Sequence, residues 1–510
     1  MRKTIFIIVF GFFVASPSLS YSSSSAYSET HKKALGGDPV AQYRLGYMFD
    51  VGEEGIVADP KKAFEWYNKA AEQGNVSAQF NLALLYEKGQ GVKTDFFKAA
   101  HWYWAAAEQG DPAAQYNLAS FYERGIGVKQ DSLEALKWYS KAAEQNLASA
   151  QYSLGLLYAN GDGVKQDYEK ALDWFKKAGT QGMAESQHSV GILFSKGLGT
   201  TKDPREAIIW FKMAAEQGFP EAQNAAAKMY YKGNGTDKDT KKSFKWFTLA
   251  AEQGVHEAEL FLALQYDNGE GVPQNFSMAA KWYQKAAEHG INKAQYNLAH
   301  MYESGDGVPQ DYEKAAKWYR AAAAKKYPNA QFALANLYIK DTGLTRNVQD
   351  INETLLLLNS AVEQNHPDAQ YALGSLYLKG VGVQKDITKA RNLFRLAAEQ
   401  NNVEAIVSLA DLLLTGEGGK KDIPEAHRLY KKAAEKGDMR SQLFLANMLF
   451  SAPEEKRDTK QAITWFTKAA EQGSRSAQLS LARHFSREGA TKQDYEKSAK
   501  WYFAASENGS

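Results

Sequence analysis

The side chains best suited to chemistry are thinly spread along this chain. Its nine histidines, among them His101, His188, His256, His300 and His427, form no His-x-x-x-His pair that would set two metal ligands on one helix face. No metal is expected. Gly161-Asp162-Gly163 and Gly305-Asp306-Gly307 place a carboxylate in a tight turn, but without the roughly five or six further oxygen ligands of a calcium loop. Turn formation accounts for them. There is no Gly-x-Ser-x-Gly elbow, no Gly-x-x-x-x-Gly-Lys-Ser/Thr phosphate loop and no cysteine to act as a nucleophile. Carboxylates are plentiful, yet they recur in phase, and a repeating group is structural before it is catalytic. No clustered, out-of-phase set of polar residues is evident, so neither an enzyme nor a cofactor is expected.

The residues that remain are suited to binding. An aromatic ring follows a glutamine at Tyr43, Phe80, Tyr116, Tyr152, Tyr296, Phe332 and Tyr371, and the column is interrupted by His188, Asn224, Leu260, Val407, Leu443 and Leu479. Two readings stand. The rings form a ladder on a concave wall where a partner segment docks, or they fill a second buried face between neighbouring helices. Ten of the eleven tryptophans share one phase, and Trp104 is the exception. It lies about 200° round a helix from Trp102, which predicts exposure and makes it a candidate partner contact.

These columns exist because the chain repeats. Ala-Gln recurs at Ala41-Gln42, Ala78-Gln79, Ala114-Gln115, Ala150-Gln151, Ala222-Gln223, Ala294-Gln295, Ala330-Gln331, Ala369-Gln370 and Ala477-Gln478, and degenerate copies fill the gaps to make thirteen units of about 36 residues. Within a unit, Ala78, Leu82, Leu85 and Tyr86 fall at helical spacing, and so do Ala99, Trp102, Tyr103, Ala106 and Ala107. Each unit is therefore two amphipathic helices. Paired glycines such as Gly89 and Gly91 end the first helix and turn the chain. Carboxylates at Asp95, Asp131, Asp167, Asp203, Asp311, Asp386, Asp422 and Asp494 are expected to cap the second. Asp203-Pro204-Arg205-Glu206 is the fullest such signal. The tryptophan column against small alanines would lock neighbouring pairs together.

The pattern Ala-Gln-x-x-Leu-Ala/Gly-x-x-Tyr-x-x-Gly-x-Gly-Val…Asp-x-x-Lys-Ala-x-x-Trp-Tyr-x-x-Ala-Ala-x-x-Gly resembles the Sel1-like repeat family, relatives of tetratricopeptide repeats, from Asp38 to Gly509. The resemblance implies an all-α fold, a right-handed α/α superhelix (solenoid), acting as an adaptor for a protein or peptide ligand. Exported bacterial members are associated with envelope assembly or host contact. Function then reads as a non-enzymatic protein-binding scaffold, secreted or periplasmic, with a long concave surface and a role in host interaction. The alternative is a periplasmic structural or regulatory factor of the cell envelope. A hydrolase of cell-wall or β-lactam compounds is a third reading, but the cysteine pairs of such relatives are missing here.

Residues 1–20 read as a signal peptide: Arg2 and Lys3 precede the apolar run Ile5–Val14 and the small residues Ser18 and Ser20. That run is too short to span a bilayer, so no stable membrane insertion is expected after cleavage. Residues 21–37 combine a serine-rich stretch, expected to be unstructured to Ser28, with half a repeat as an N-terminal cap, and 38–510 form the solenoid. The end of the last helix is expected to offer a face to a second copy. With Lys plus Arg at 61 and Asp plus Glu at 59, no nucleic-acid footprint exists. Leu357, Leu393 and Leu429 take the tryptophan phase in three successive units. This is either drift compensated by aliphatic packing or a hinge or specialised surface across 331–437.

Overall fold

The computed structural model describes residues 23–53, 56–340, 348–456, 458–488 and 490–507. The leader at 1–20 and the turn at Asp341–Gly343 lie outside them. Among the described residues there are twenty-seven α-helices and no strand, an all-α solenoid as expected. The unit Val76–Lys88 followed by Phe96–Glu108 shows the plan. Each helix has 13 residues, the first packs on the second, and the second packs on the next first helix, Pro112–Arg124.

The helix ends follow from local chemistry. Asn75 Oδ1 accepts the Ala78 amide at 2.9 Å and opens the first helix, which Gly89 closes at φ 68°. Gly91 answers a closer constraint: a Cβ there would lie 2.0 Å from the Pro60 carbonyl oxygen of the preceding second helix. Only glycine lets the turn close against its neighbour. Asp95 then accepts the Lys98 amide at 3.0 Å, and Asp131, Asp167, Asp203, Asp311, Asp386 and Asp422 do the same in their units. Asp494 differs. Its helix starts at Lys492, and the cap is Thr491, whose hydroxyl accepts the Asp494 amide at 3.2 Å while Asp494 accepts the Thr491 amide at 3.1 Å. This is a capping box, with the carboxylate in its reciprocal place.

Contacts divide the chain into two compact units, residues up to Gln265 with Gly269–Pro273, and Tyr266–Asn268 with residues from Gln274 onward. In the first, alanines such as Ala63, Ala99 and Ala135 are buried beside Leu45, Leu82 and Leu118. In the second, Ala315, Tyr319 and Leu334 and then Ala390, Phe394 and Leu409 continue the scheme. The serine-rich start departs from expectation, because Ser23–Leu35 is a helix. It packs on Pro39–Val51, Tyr27 stacks on His31 at 5.4 Å, and His31 meets the Trp66 ring edge-on at 6.2 Å. Those ring contacts supply order that serine content alone does not.

Candidate functional site

The glutamine of each Ala-Gln pair is buried, and in the first compact unit it ties three helices together. Gln115 Nε2 donates to the Ala107 carbonyl at 3.1 Å, and its Oε1 accepts from Gln145 Nε2 at 2.8 Å. The same relay recurs at Gln79, Gln151, Gln187, Gln223 and Gln442. A buried amide satisfied on both sides fixes the register between units. Sequence reading treated this glutamine only as a period marker. Its signal was a second glutamine 30 residues on, as at Gln145.

The ladder rings stand on this frame. Tyr43, Phe80, Tyr116 and Tyr152 of the first unit, and Tyr296, Phe332 and Tyr371 of the second, are all half-buried. Most lie against a buried ring of the second helix: Tyr43 on Tyr67 at 5.8 Å, Phe80 on Tyr103 at 5.8 Å, Tyr116 on Tyr139 at 5.5 Å and Tyr152 on Phe175 at 5.6 Å. Tyr296 meets Tyr319 and Tyr371 meets Phe394 likewise, at 5.6 and 5.7 Å, while Phe332 stacks on His366 at 5.3 Å. Each ring thus gives one side to the core and keeps a rim toward solvent. His188 holds the same place, packed on Phe211 and Phe219, and burial lowers its pKa to about 4.

The inner ring of each pair was not singled out from sequence. It is the residue just after the tryptophan, and it is buried more completely than most of the tryptophans. Where it is tyrosine, its hydroxyl finds a carboxylate on the first helix: Tyr103 donates to Glu87 at 2.6 Å, Tyr139 to Glu123 at 2.9 Å, Tyr283 to Asp267 at 2.9 Å and Tyr319 to Glu303 at 2.8 Å. Burial, then the adjacent carboxylate, pushes the Tyr103 and Tyr139 hydroxyls far above the ordinary tyrosine range. They remain donors at any physiological pH.

Trp104 is 48% exposed and Phe97, about two turns away on the same helix, is 75% exposed. With His101 and Tyr122 they border a shallow cavity of about 200 Å³. This aromatic patch lies on a second helix, apart from the ladder. Contiguous exposed rings of this kind favour cover by a partner.

The Sel1 repeat matches this chain in thirteen consecutive segments spanning residues 39–438 and 440–510. The chain belongs to the Sel1-repeat family. A solved protective antigen present in uropathogenic Escherichia coli strains, displaying an SLR fold, is similar over 91% of this chain and 98% of its own, at 32% identity and TM-score 0.79. A Sel1 repeat protein from Oxalobacter formigenes is similar at 32% identity over 64% of this chain and 98% of its own, with TM-score 0.49. Sel1-repeat proteins are protein-interaction scaffolds, and the solenoid described above is the scaffold of that family.

Proposed function

We propose that this chain is an exported, non-enzymatic scaffold that binds a protein partner through the ladder rims of its first helices and the Phe97–Trp104 patch, in contact with a host. The exposure of Trp104 beside Phe97 carries the reading, since an aromatic pair held in solvent on a rigid helix gains most by being covered. The half-buried rings at Tyr43, Phe80, Tyr116, Tyr152, Tyr296, Phe332 and Tyr371 supply further apolar edges on ordered helices. Export rests on Arg2, Lys3 and the apolar run Ile5–Val14. Host contact is supported by the likeness to a protective antigen of uropathogenic Escherichia coli.

The test is capture of partners by residues 21–510 from host-cell extract and, in parallel, from the producing organism's envelope extract, each with the Trp104→Ala variant as control. A host protein enriched by the parent chain and lost with Trp104→Ala supports the reading. Enrichment confined to an envelope protein would replace it with a structural or regulatory envelope role. Equal capture by the two forms removes Trp104 from the interface.

A further inference from the structure

Three departures from the repeat, on successive helices and the turn between them, meet at one place in the second compact unit. The first is Arg391. Its phase is held by Phe64, Ala100, Leu136, Leu172, Ile208, Phe244, Ala280 and Ala316 in earlier units and by His427 in the next, yet here an arginine is only 7% exposed. Its guanidinium is held by two backbone carbonyls, Lys420 at 2.7 Å and Glu417 at 3.4 Å. Among the described residues no carboxylate pairs with it. The second is Gly419, at the phase of Val92, Val128 and Val164, where a Cβ would stand 2.8 Å from Arg391 Nη1. Glycine makes room for the arginine. The third is Leu429, at the tryptophan phase.

The effect of losing that indole can be read from the repeat itself. At the same register in the first compact unit, where Trp104 stands at the phase of Arg395 and borders the opening with Phe97, the cavity is about 200 Å³. With Leu429 it is about 790 Å³, and Ala398, Leu409, Leu413 and Leu429 form apolar wall. Ala398 is the counterpart of Gly179, against which the ring of Trp210 lies, so a Cβ on Gly179 would meet Cζ3 of Trp210 at 3.0 Å. The open volume therefore lies where an indole packs in other units. Lys432 keeps the phase of Lys69, Lys141, Lys177, Lys285 and Lys468, each of which lies over its tryptophan ring at 3.7 to 4.5 Å. Here the lysine has no ring beneath it, and its Nζ donates to the Ala398 carbonyl at 3.3 Å instead.

Charge defines the rest. Six cationic side chains line the cavity, against three carboxylates. Two of those carboxylates are already engaged, Asp422 as a helix cap and Glu425 in a two-point pair with Arg428. A buried guanidinium without a counter-charge, next to exposed Arg395, Lys420 and Lys421, is a ready partner for carboxylates. A cavity of this size also falls within the range of formed ligand sites.

We propose that this cavity receives an aromatic side chain from a protein partner, carried in an acidic segment. The ring occupies the vacant indole place against Leu429 and Ala398, under Lys432, and flanking Asp or Glu side chains pair with Arg391 and Arg395. The proposal rests on the scaffold reading but uses a separate site, since none of its residues belongs to the ladder or to the Trp104 patch.

Three fluorescein-labelled peptides of equal length test it by anisotropy with the whole protein. One has a central tryptophan flanked by Asp and Glu, one has alanine in place of the tryptophan, and one has lysines in place of the acids. The acidic tryptophan peptide should bind at least tenfold more tightly than either other. Leu429→Trp, which fills the cavity from within, should weaken it at least tenfold with the melting temperature kept or raised. Arg395→Glu, on the exposed rim, should do the same by charge without touching the core. Trp104→Ala should leave peptide binding unchanged, which separates this site from the patch. Failure of the acidic tryptophan peptide to bind, equal binding of all three peptides, or undiminished binding by Arg395→Glu overturns the proposal. Should Leu429→Trp not fold, Arg395→Glu decides it.

Discussion

The pairing of Tyr139 with Glu123 sets up a double-substitution test whose answer is written in the next unit. There the two positions are Phe175 and Ala159, so the array already accommodates the pair without the hydrogen bond. Tyr139→Phe alone removes the 2.9 Å donor and leaves the carboxylate of exposed Glu123 to water. Glu123→Ala alone takes the charged acceptor from a 2% exposed tyrosine hydroxyl and leaves it only the Ser120 hydroxyl. A hydrogen bond to a charged group contributes about 1.5–3 kcal/mol, and an orphaned buried partner forfeits most of that. Glu123→Ala is therefore expected to lower local stability by about 2 kcal/mol and Tyr139→Phe by about 1 kcal/mol, whereas the two together should stay within about 1 kcal/mol of the parent, a coupling of about 2 kcal/mol. Repeat arrays need not unfold in one step, so the readout is hydrogen exchange of peptides within residues 112–147, compared with an untouched unit. Strict additivity, with the double variant losing the sum of both singles, would refute the reasoning.

Three further outcomes are expected. His188, buried against Phe211 and Phe219 with its pKa lowered to about 4, stays neutral when folded but takes a proton when unfolded below its ordinary value of about 6.5. Its folded pKa is the lower one, so stability is lost as pH falls from about 6.5 toward 4, by up to about 3 kcal/mol. His188→Tyr, which restores the ladder residue, should remove that component from urea midpoints measured across the window, and an unchanged pH profile would count against it. Tyr116→Leu with Tyr152→Leu should weaken partner capture with stability held within about 1 kcal/mol, because leucine already serves this phase at Leu260, Leu443 and Leu479. A large drop in the melting temperature would instead mark the rings as core. Gln115→Ala should cost about 2–3 kcal/mol by local hydrogen exchange, and Gln295→Ala about 1 kcal/mol less, because Lys325 stands where the relay glutamine would and Gln295 Oε1 has no partner. Equal losses would mean the relay bond contributes nothing.

The fold was legible because period, caps and turns are local. Asp203 at a helix start and Gly89 at a helix end act within a few residues, and their sequence neighbours reveal them. The candidate surface was legible only in part, since helical phase places a residue on a face without saying which inter-helix space it enters. Tyr103 and Trp102 are adjacent in sequence, yet sequence reading gave the core to the tryptophan column and missed the deeper tyrosine or phenylalanine beside it. The Tyr with Glu or Asp and Phe without them were visible in register, as Tyr103 with Glu87 against Phe175 with Ala159. That covariation needs units aligned to each other, not read singly. The cluster at Arg391 was hidden for the same reason, and the expectation that no out-of-phase polar set exists is corrected by it.

The irregular units show why such alignment separates drift from a site. Leu393 and Leu429 both replace tryptophan, but their surroundings differ. Around Leu393 the positions matching Arg391, Ala398 and Gly419 are Leu355, Val362 and Val383, larger or more apolar side chains, and Leu355, Val362 and Leu393 pack on one cluster with Leu358 and Leu373. Lost indole volume is made up there by aliphatic volume, as tolerant cores allow. Around Leu429 the neighbouring changes run the other way: a small Ala398 is kept, valine becomes Gly419, and an apolar position becomes Arg391. In a stack where each unit touches only its neighbours, drift is expected to be repaired by the adjacent unit. Here the adjacent unit leaves the gap unfilled and places a charge beside it, so packing alone does not account for the change, whereas the proposed acidic partner segment does.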